Sequence, residues 1–324
     1  MICLTMIVRN EAHVIRRSLL SALALVDCVC VCDTGSEDGT PELVCDLLAQ
    51  SPRKVYVGSH AWVDFGTNRT RALRTAEDKF DLGPQDYHLI LDADDVLDGG
   101  FEHGVKLDQD CYHLKVQDGS TVYHRAHLLR ADGLWEYRSP VHEAPYRMGG
   151  LEATVGQLDW PVYHRIGGGA RSKDPEKFLK DAALLEKALR DDPESDLVPR
   201  WRFYLAQSYM DAGIFDEAAR AYRMRFFCTD GWRQERYVAA LRLASLGYTP
   251  EFWLRRAIET DPSRAEAPFA MAALWAQSNK PLDALLWATY AASLTPPEGA
   301  LFSEPEVYEW AKNLRTQMLE KVSA

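Results

Sequence analysis

His88-Leu89-Ile90-Leu91-Asp92-Ala93-Asp94-Asp95 decides the fold, because a short apolar run ends there in three carboxylates. A run of this length between polar residues suits a strand covered on both faces, the kind found in parallel sheets. Carboxylates directly after such a strand stand at its carboxyl end, where open α/β sheets bind ligands. The preceding residues repeat the arrangement. Residues 2–8 are apolar, residues 10–25 carry Val14, Leu19, Leu20, Leu23 and Ala24 at helical spacing, and residues 26–32 are apolar again. Asp33-Thr-Gly-Ser-Glu-Asp-Gly-Thr40 is turn chemistry, and Pro41 is placed to start a helix through Leu47 and Leu48. Residues 54–58 predict a third strand and 67–80 a third helix. Alternation of this kind predicts right-handed crossovers and a parallel sheet with helices on both faces.

Beyond Gly99-Gly100 the pattern shortens. Residues 112–117 and 121–129 alternate like antiparallel arms, so the sheet is expected to be mixed. Gly167-Gly168-Gly169 marks the domain boundary region, and after Asp174-Pro175 the chain reads as helical to its end. Leu205-Ala206, Tyr209, Gly213, Phe215, Ala218 and Tyr222 follow the small-and-large pattern of tetratricopeptide (TPR) hairpins. Gly213 and Gly247 are 34 residues apart, and Asp192-Pro193 and Asp261-Pro262 are 69 apart, about two such periods. The fold predicted is an α/β domain of Rossmann-like character with a mixed sheet over residues 1–170, then an all-α, TPR-like domain over 171–324. Trp201, Trp232 and Trp253 are expected to pack between repeats.

A length of 324 residues accommodates two domains with full cores, and a hydrophobic fraction of 47% with 26% charged residues is that of a soluble globular protein. No apolar run approaches the roughly 20 residues that a bilayer requires. Arg9, Asn10 and Glu11 interrupt the first apolar stretch, unlike a signal peptide, so a cytoplasmic, membrane-free protein is expected. The seven cysteines lack paired zinc spacing, and Cys28, Cys30 and Cys32 alternate along a strand, which reads as packing on one sheet face. A net charge of −11 argues against a broad nucleic-acid surface, unless Arg69, Arg71 and Arg74 or Arg125, Arg130 and Arg138 form a basic face.

Three polar clusters share the strand-end position: Met6-Ile-Val-Arg-Asn10-Glu11, Asp33 to Thr40, and Asp92 to Asp95. A diphosphate leaving group gains negative charge as its bond breaks, and a hard cation bridging its phosphates stabilises that charge. Magnesium or manganese takes oxygen ligands, commonly one or two carboxylates with phosphate oxygens. Asp92 and Asp94, one residue apart, offer one carboxylate to a ribose and one to a metal.

Met6-Ile-Val-Arg-Asn-Glu11, Cys32-Asp-Thr-Gly-Ser-x-Asp-Gly-Thr40 and Leu91-Asp-Ala-Asp-Asp95 resemble family 2 glycosyltransferases of GT-A fold. Asp64-Phe-Gly-x-Asn68-Arg69 is similar to the segment that closes over the nucleotide, with the usual Arg-Asn order reversed. Val141-His-Glu143 and Val162-Tyr-His164 resemble later elements of that family, some of whose members carry TPR-like tails.

The resemblance implies an inverting, metal-dependent transfer from a nucleotide-sugar, a UDP-sugar foremost, with Mn2+ or Mg2+ as cofactor. It implies Asp33 at the base with Val8, Arg9 and Asn10 beside it, Asn68 and Arg69 over the nucleotide, and Asp92 with Ala93 at the ribose. Asp94 falls to the metal, with Asp95 as a second ligand and His164 reaching the metal or diphosphate. Arg171 or Lys173 would neutralise phosphate. An acceptor hydroxyl, amide or thiol must lose a proton as it attacks, so a base is required; Glu143 is expected in that role, with His142 its rival. Trp62, Trp135, Tyr137 and Trp160 are core by default, with one or two available to an acceptor sugar. The acceptor is a saccharide, a peptide or a modified DNA base, and the helical part would recognise it or mediate homo-oligomerisation. A nucleotidyltransferase, or an inactive nucleotide-binding TPR scaffold, are the competing readings.

Overall fold

Apolar runs become strands and helical periods become helices in the computed structural model, which describes residues 1–119, 121–297 and 301–323. The chain divides into two units, Met1–Lys177 and Phe178–Ala324. The first opens with β1 (Ile2–Val8), α1 (Ile15–Ala22), β2 (Cys28–Asp33), α2 (Thr40–Leu48), β3 (Lys54–Ser59), α3 (Phe65–Phe80) and β4 (Tyr87–Ile90). It continues through β5 (Val96–Asp98), β6 (Cys111–Asp118), β7 (Thr121–Arg130), β8 (Trp135–Arg138), β9 (Ala144–Arg147) and β10 (Val155–His164). Eight strands form one sheet in the order β3-β2-β1-β4-β7-β6-β10-β5, while β8 and β9 pair separately. Pairing is parallel from β3 to β4 and antiparallel at β4–β7, β6–β7 and β10–β5, so the sheet is mixed.

Both faces are covered, as the apolar runs require. Leu4, Met6, Val29 and Val31 pack with Ile15, Leu19 and Val44 on one face, and Cys3, Cys28, Cys30 and Cys32 pack with Ala72, Ala76 and Phe80 of α3 on the other. These cysteines are free thiols in the core. The Asp64 carboxylate caps α3, accepting from the Thr67 amide at 2.7 Å. Gly66 lets α3 approach the β8 end: a Cβ there would lie 2.5 Å from the Ser139 carbonyl oxygen. Trp135 and Tyr137 are core, whereas Trp160 is 46% exposed and Gly99 lies against its ring.

The second unit is all helix: α4 (Lys177–Asp191, entered from the end of the first unit), α5 (Val198–Asp211), α6 (Phe215–Phe227), α7 (Arg233–Ser245), α8 (Pro250–Thr260), α9 (Glu266–Gln277), α10 (Pro281–Ala292) and α11 (Pro305–Ser323). Each helix from α5 onward packs on the next, the stacked-hairpin arrangement of TPR-like arrays. The glycine period has a backbone cause. Gly213 and Gly247 follow α5 and α7 at φ 75° and 84°, and Asn279 follows α9 at φ 55°, the left-handed turn that closes a helix. Trp201 and Trp253 are buried in this unit, but Trp232 is 47% exposed and does not pack between helices as expected. Among the described residues no helix is long and apolar enough to cross a membrane.

Candidate active site

β1 lies between β2 and β4, so the loops leaving these three parallel strands are neighbours at one sheet edge. Val8 is paired with Asp33 in the register, and its carbonyl accepts from the Thr34 amide at 2.9 Å and hydroxyl at 3.0 Å. Asp33 folds the turn that follows, accepting from the amides of Gly35 at 2.9 Å and Ser36 at 3.1 Å. Asn10, at φ 57°, ties the first loop to the second: its amide donates to Ser36 Oγ and its side-chain oxygen accepts from the Glu37 amide, each at 2.8 Å. Glu11 and Ala12 continue the seam through Thr40 and Asp38. Asn10 therefore sets loop geometry, and Arg9 is the exposed side chain at this strand end.

The carboxylates of the acidic turn point to different partners. Asp92 Oδ1 accepts from Arg69 Nη2 at 2.5 Å, and Ala93 is buried behind it. Burial works against the Asp92 charge, yet the Arg69 guanidinium outweighs it and holds the carboxyl well below its usual range. Asp94 Oδ2 accepts from the Gly169 amide at 2.9 Å. Asp95 turns inward, where its carboxylate accepts from the Tyr163 hydroxyl at 2.8 Å and the Ile166 and Gly167 amides at 2.9 and 3.3 Å. Burial, then the charges of Asp92 and Asp94, raise its pKa. Asp95 is thus an anchor for the loop after β10, and its oxygens are engaged away from a metal. His164 likewise stands apart, with Nε2 3.9 Å from Asp98 Oδ2 at the β10–β5 edge. Among the described residues no group of three or more His, Cys, Asp or Glu side chains gathers as a metal cage, so Asp94, Asp95 and His164, the ligands that the resemblance implies, are not brought together into one cluster.

What the structure does set beside Asp94 is Glu11. A Cβ on Gly169 would lie 2.9 Å from Asp94 Oδ2 and 2.9 and 3.0 Å from the two Glu11 oxygens. The bare glycine therefore leaves a cradle between two carboxylates. Burial first, and then the Asp94 charge against the pull of the Ala170 amide, pushes Glu11 up to about 7. Glu11 takes the Ala170 amide and Asp94 Oδ2 the Gly169 amide, and the two carboxylates on either side of Gly169 are oxygen ligands of the kind a hard cation would take together with phosphate oxygens. Arg17 closes the far side, donating to the Asp94 carbonyl at 2.6 Å and to the Gly167 carbonyl.

On the other side of Asp92 lies Glu143. Arg69 donates through Nε to Glu143 Oε1 at 2.6 Å while its Nη2 holds Asp92, and its guanidinium lies 5.7 Å from the centre of the Tyr137 ring. The Arg69 and Glu143 side chains are 12% and 9% exposed. Arg69 is thus a bridge between two site carboxylates. Its neighbour Asn68 is spent on structure: its oxygen accepts from the Val63 amide at 2.9 Å and its amide donates to the Ala61 carbonyl at 3.1 Å, so it does not face a nucleotide. His142 is exposed at φ 53°, which turns the chain so that Val141 and Glu143 face inward on either side of it. Arg171 lies over the Phe65 ring at 4.4 Å, and Lys173 is exposed on the same short turn. His127 shows no sign in the sequence. It is stacked on Tyr163, Nδ1 lies 3.0 Å from the Ile90 carbonyl, and Nε2 is buried without a partner.

Of the basic face considered from the sequence, Arg74 pairs with Glu77, Arg130 with Asp110 and three backbone carbonyls, and Arg138 lies 3.8 Å from Glu136. Those charges are largely neutralised locally.

Residues 3–106 match the family model described as glycosyl transferase family 2. A TPR repeat-containing protein of Synechococcus elongatus is 30% identical over 151 residues, which is 44% of this chain and 34% of the relative; the chain thus spans about a third of the length of that curated relative. Staphylococcus aureus TarS 1–349, solved in complex with UDP-GlcNAc, is 14% identical over 94% of this chain and 99% of its own, with a TM-score of 0.40. BtubC of P. vanneervenii is 18% identical over 45% of this chain and 66% of its own, with a TM-score of 0.37. Structural likeness at that level leaves function open. The family match falls on the part of the first unit that holds the three strand-end clusters, and the unit that follows is helical throughout in a TPR-like arrangement.

Proposed function

We propose that the first unit transfers a sugar from a nucleoside-diphosphate donor, a UDP-sugar first, to an acceptor nucleophile with inversion at the anomeric carbon. One observation carries the reading: Asp33, Asp92 and Asp94 stand at the carboxyl ends of strands adjacent to β1, within the stretch that matches the family model. Asp33 and the backbone around Val8 receive the base, with the exposed Arg9 at the rim. Asp92, with one oxygen held by Arg69 and the side chain 36% exposed, offers its other oxygen to the ribose hydroxyls.

Asp94 holds the divalent metal, Mn2+ or Mg2+, with Glu11 across the Gly169 cradle. When bound, that ion supplies Lewis-acid stabilisation of the departing diphosphate. Arg171 and Lys173 add positive charge on the turn after the glycine loop. Glu143 takes the acceptor proton: Oε1 is engaged by Arg69, and Oε2 accepts no hydrogen bond among the described residues. Attack from the Glu143 side, opposite the leaving group, inverts the centre. General-base help of this kind contributes about 10²–10⁴-fold. The local pairing of Arg74, Arg130 and Arg138 favours a saccharide or peptide acceptor over DNA.

The test is turnover of a panel of nucleotide-sugars, UDP-sugars first, with Mn2+ and after chelation, by wild type and Asp94→Ala. At least about a hundredfold loss in the variant and on chelation is expected, the scale of removing one charge-stabilising group. Equal turnover in all arms would overturn the metal assignment, and absence of turnover with every donor would overturn the transferase reading.

A further inference from the structure

Arg69 joins two carboxylates that the proposed function assigns to opposite ends of a reaction. Its Nη2 is 2.5 Å from Asp92 Oδ1 and its Nε is 2.6 Å from Glu143 Oε1, while Nη1 donates to nothing among the described residues. The three side chains come from α3, the end of β4 and the segment between β8 and β9. A guanidinium suits this position because its donors are fixed in one plane, so two acids bound to different edges are fixed relative to each other. A lysine would present a single point charge to both.

We propose that Arg69 is a positioning residue that yokes the acceptor-side base to the donor-side carboxylate: it fixes Glu143 Oε1, leaves Oε2 to receive the acceptor proton, and registers both against Asp92. This rests on the reading of Glu143 as base and Asp92 as ribose ligand. It departs from a nucleotide-clamping role for the Asn68-Arg69 pair, since Asn68 is buried and satisfied by backbone.

The bridge has a chemical consequence. Glu143 is nine-tenths buried, and the Arg69 guanidinium is the counter-charge bonded to it. The charged and titratable groups around it are Arg69 from α3, Asp92 after β4, Arg125 and His127 from β7, Tyr137 from β8 and the adjacent His142. His127 is kept neutral by burial and then by Arg125, with its pKa lowered to about 3. Arg125 is the remaining cation of the set, and among the described residues it forms no ion pair with Glu143. Without Arg69 nothing holds Glu143 Oε1, and the carboxylate loses the cation bonded to it.

The experiment combines two readouts on the full chain carrying Arg69→Met, Arg69→Lys or no substitution. The first is the titration of the Glu143 carboxyl by carbon NMR with labelled glutamate, assigned by its disappearance in Glu143→Gln; it needs no turnover. The second is the pH profile of kcat, together with the affinity for UDP. In Arg69→Met the Glu143 midpoint should rise by at least about one pH unit, a tenfold change in proton affinity. The acid limb of kcat should move with it, kcat at neutral pH should fall by at least about tenfold, and UDP affinity should change less than about threefold. Arg69→Lys should fall between the two, and it also serves if Arg69→Met does not fold. An unmoved Glu143 midpoint in both variants overturns the proposal. So does a large loss of UDP affinity with kcat and its pH profile intact, which would make Arg69 a nucleotide ligand. If the NMR midpoint moves while no donor is turned over, the bridge stands and it is the transferase reading that fails.

Discussion

Arg264 is a buried arginine and Arg69 a partly buried one, and the contrast between them separates the two units. In the helical unit Arg264 donates to both Glu266 oxygens, to Gln234 and to the carbonyls of Leu301 and Phe302, and Arg225 similarly binds Glu235 and the carbonyls of Cys228 and Trp232. Every edge of those guanidiniums ends on the fold itself, and the result is a staple between helices and loops. In the α/β unit Arg69 reaches two carboxylates that each keep an oxygen facing away from it. Beside them stand the Glu11–Asp94 cradle and the unpartnered Nε2 of His127. Buried charge that is fully satisfied holds a structure together; buried charge left with open oxygens at a strand edge is prepared for a ligand.

The largest stability effect should fall on the closed network. Arg264→Met strands Glu266 in the interior, and breaking a buried pair from one side costs about 3–5 kcal/mol, measurable by denaturant unfolding. A cost below about 1 kcal/mol would show that the helical network is as open as the α/β one.

A smaller effect is pH-dependent and belongs to the α/β unit. Burial, then Arg125, lowers His127 to about 3, whereas an unfolded histidine titrates near its ordinary value of 6.5. The unfolded chain therefore binds the proton first. The neutral-state stability is present above about pH 6.5 and is lost as pH falls from there toward 3. His127→Gln should flatten that part of a melting-temperature profile; an unchanged slope would place the acid sensitivity elsewhere.

The smallest effect tests the cradle. Residue 169 has φ −61°, which alanine adopts without strain, so Gly169→Ala should leave the melting temperature nearly unchanged. Its methyl would nevertheless meet Asp94 and Glu11, and Mn2+-dependent turnover should weaken by about tenfold, roughly 1.4 kcal/mol. Wild-type metal dependence in this variant would detach Glu11 and Asp94 from the cation.

The sheet was legible because its signals are local. The runs at 2–8, 26–32 and 88–91 are short, apolar and bounded by turn residues, and the glycines at 213 and 247 mark helix ends by backbone conformation alone. The strand-end positions of Asp33, Asp92 and Asp94 were legible for the same reason, since a strand's end fixes where the next side chains stand. The inward turn of Asp95 was not, because it depends on Tyr163, 68 positions away. The Arg69–Glu143 contact spans 74 positions and needs Gly66 to bring α3 against the β8 end. Glu11 meets the glycine loop across 159 positions. Asn10 and Asn68 look like ligand-facing amides in sequence, and only the register of neighbouring loops shows their hydrogen bonds already used.

The most direct test is calorimetric titration of UDP into wild type and Asp94→Ala, with Mn2+ and with chelator. One nucleotide per chain should bind with Mn2+, and the affinity should fall by at least about tenfold both on chelation and in Asp94→Ala with Mn2+ present. Equal affinity in all four titrations, or no binding in any, would contradict a donor site built on the acidic turn after β4.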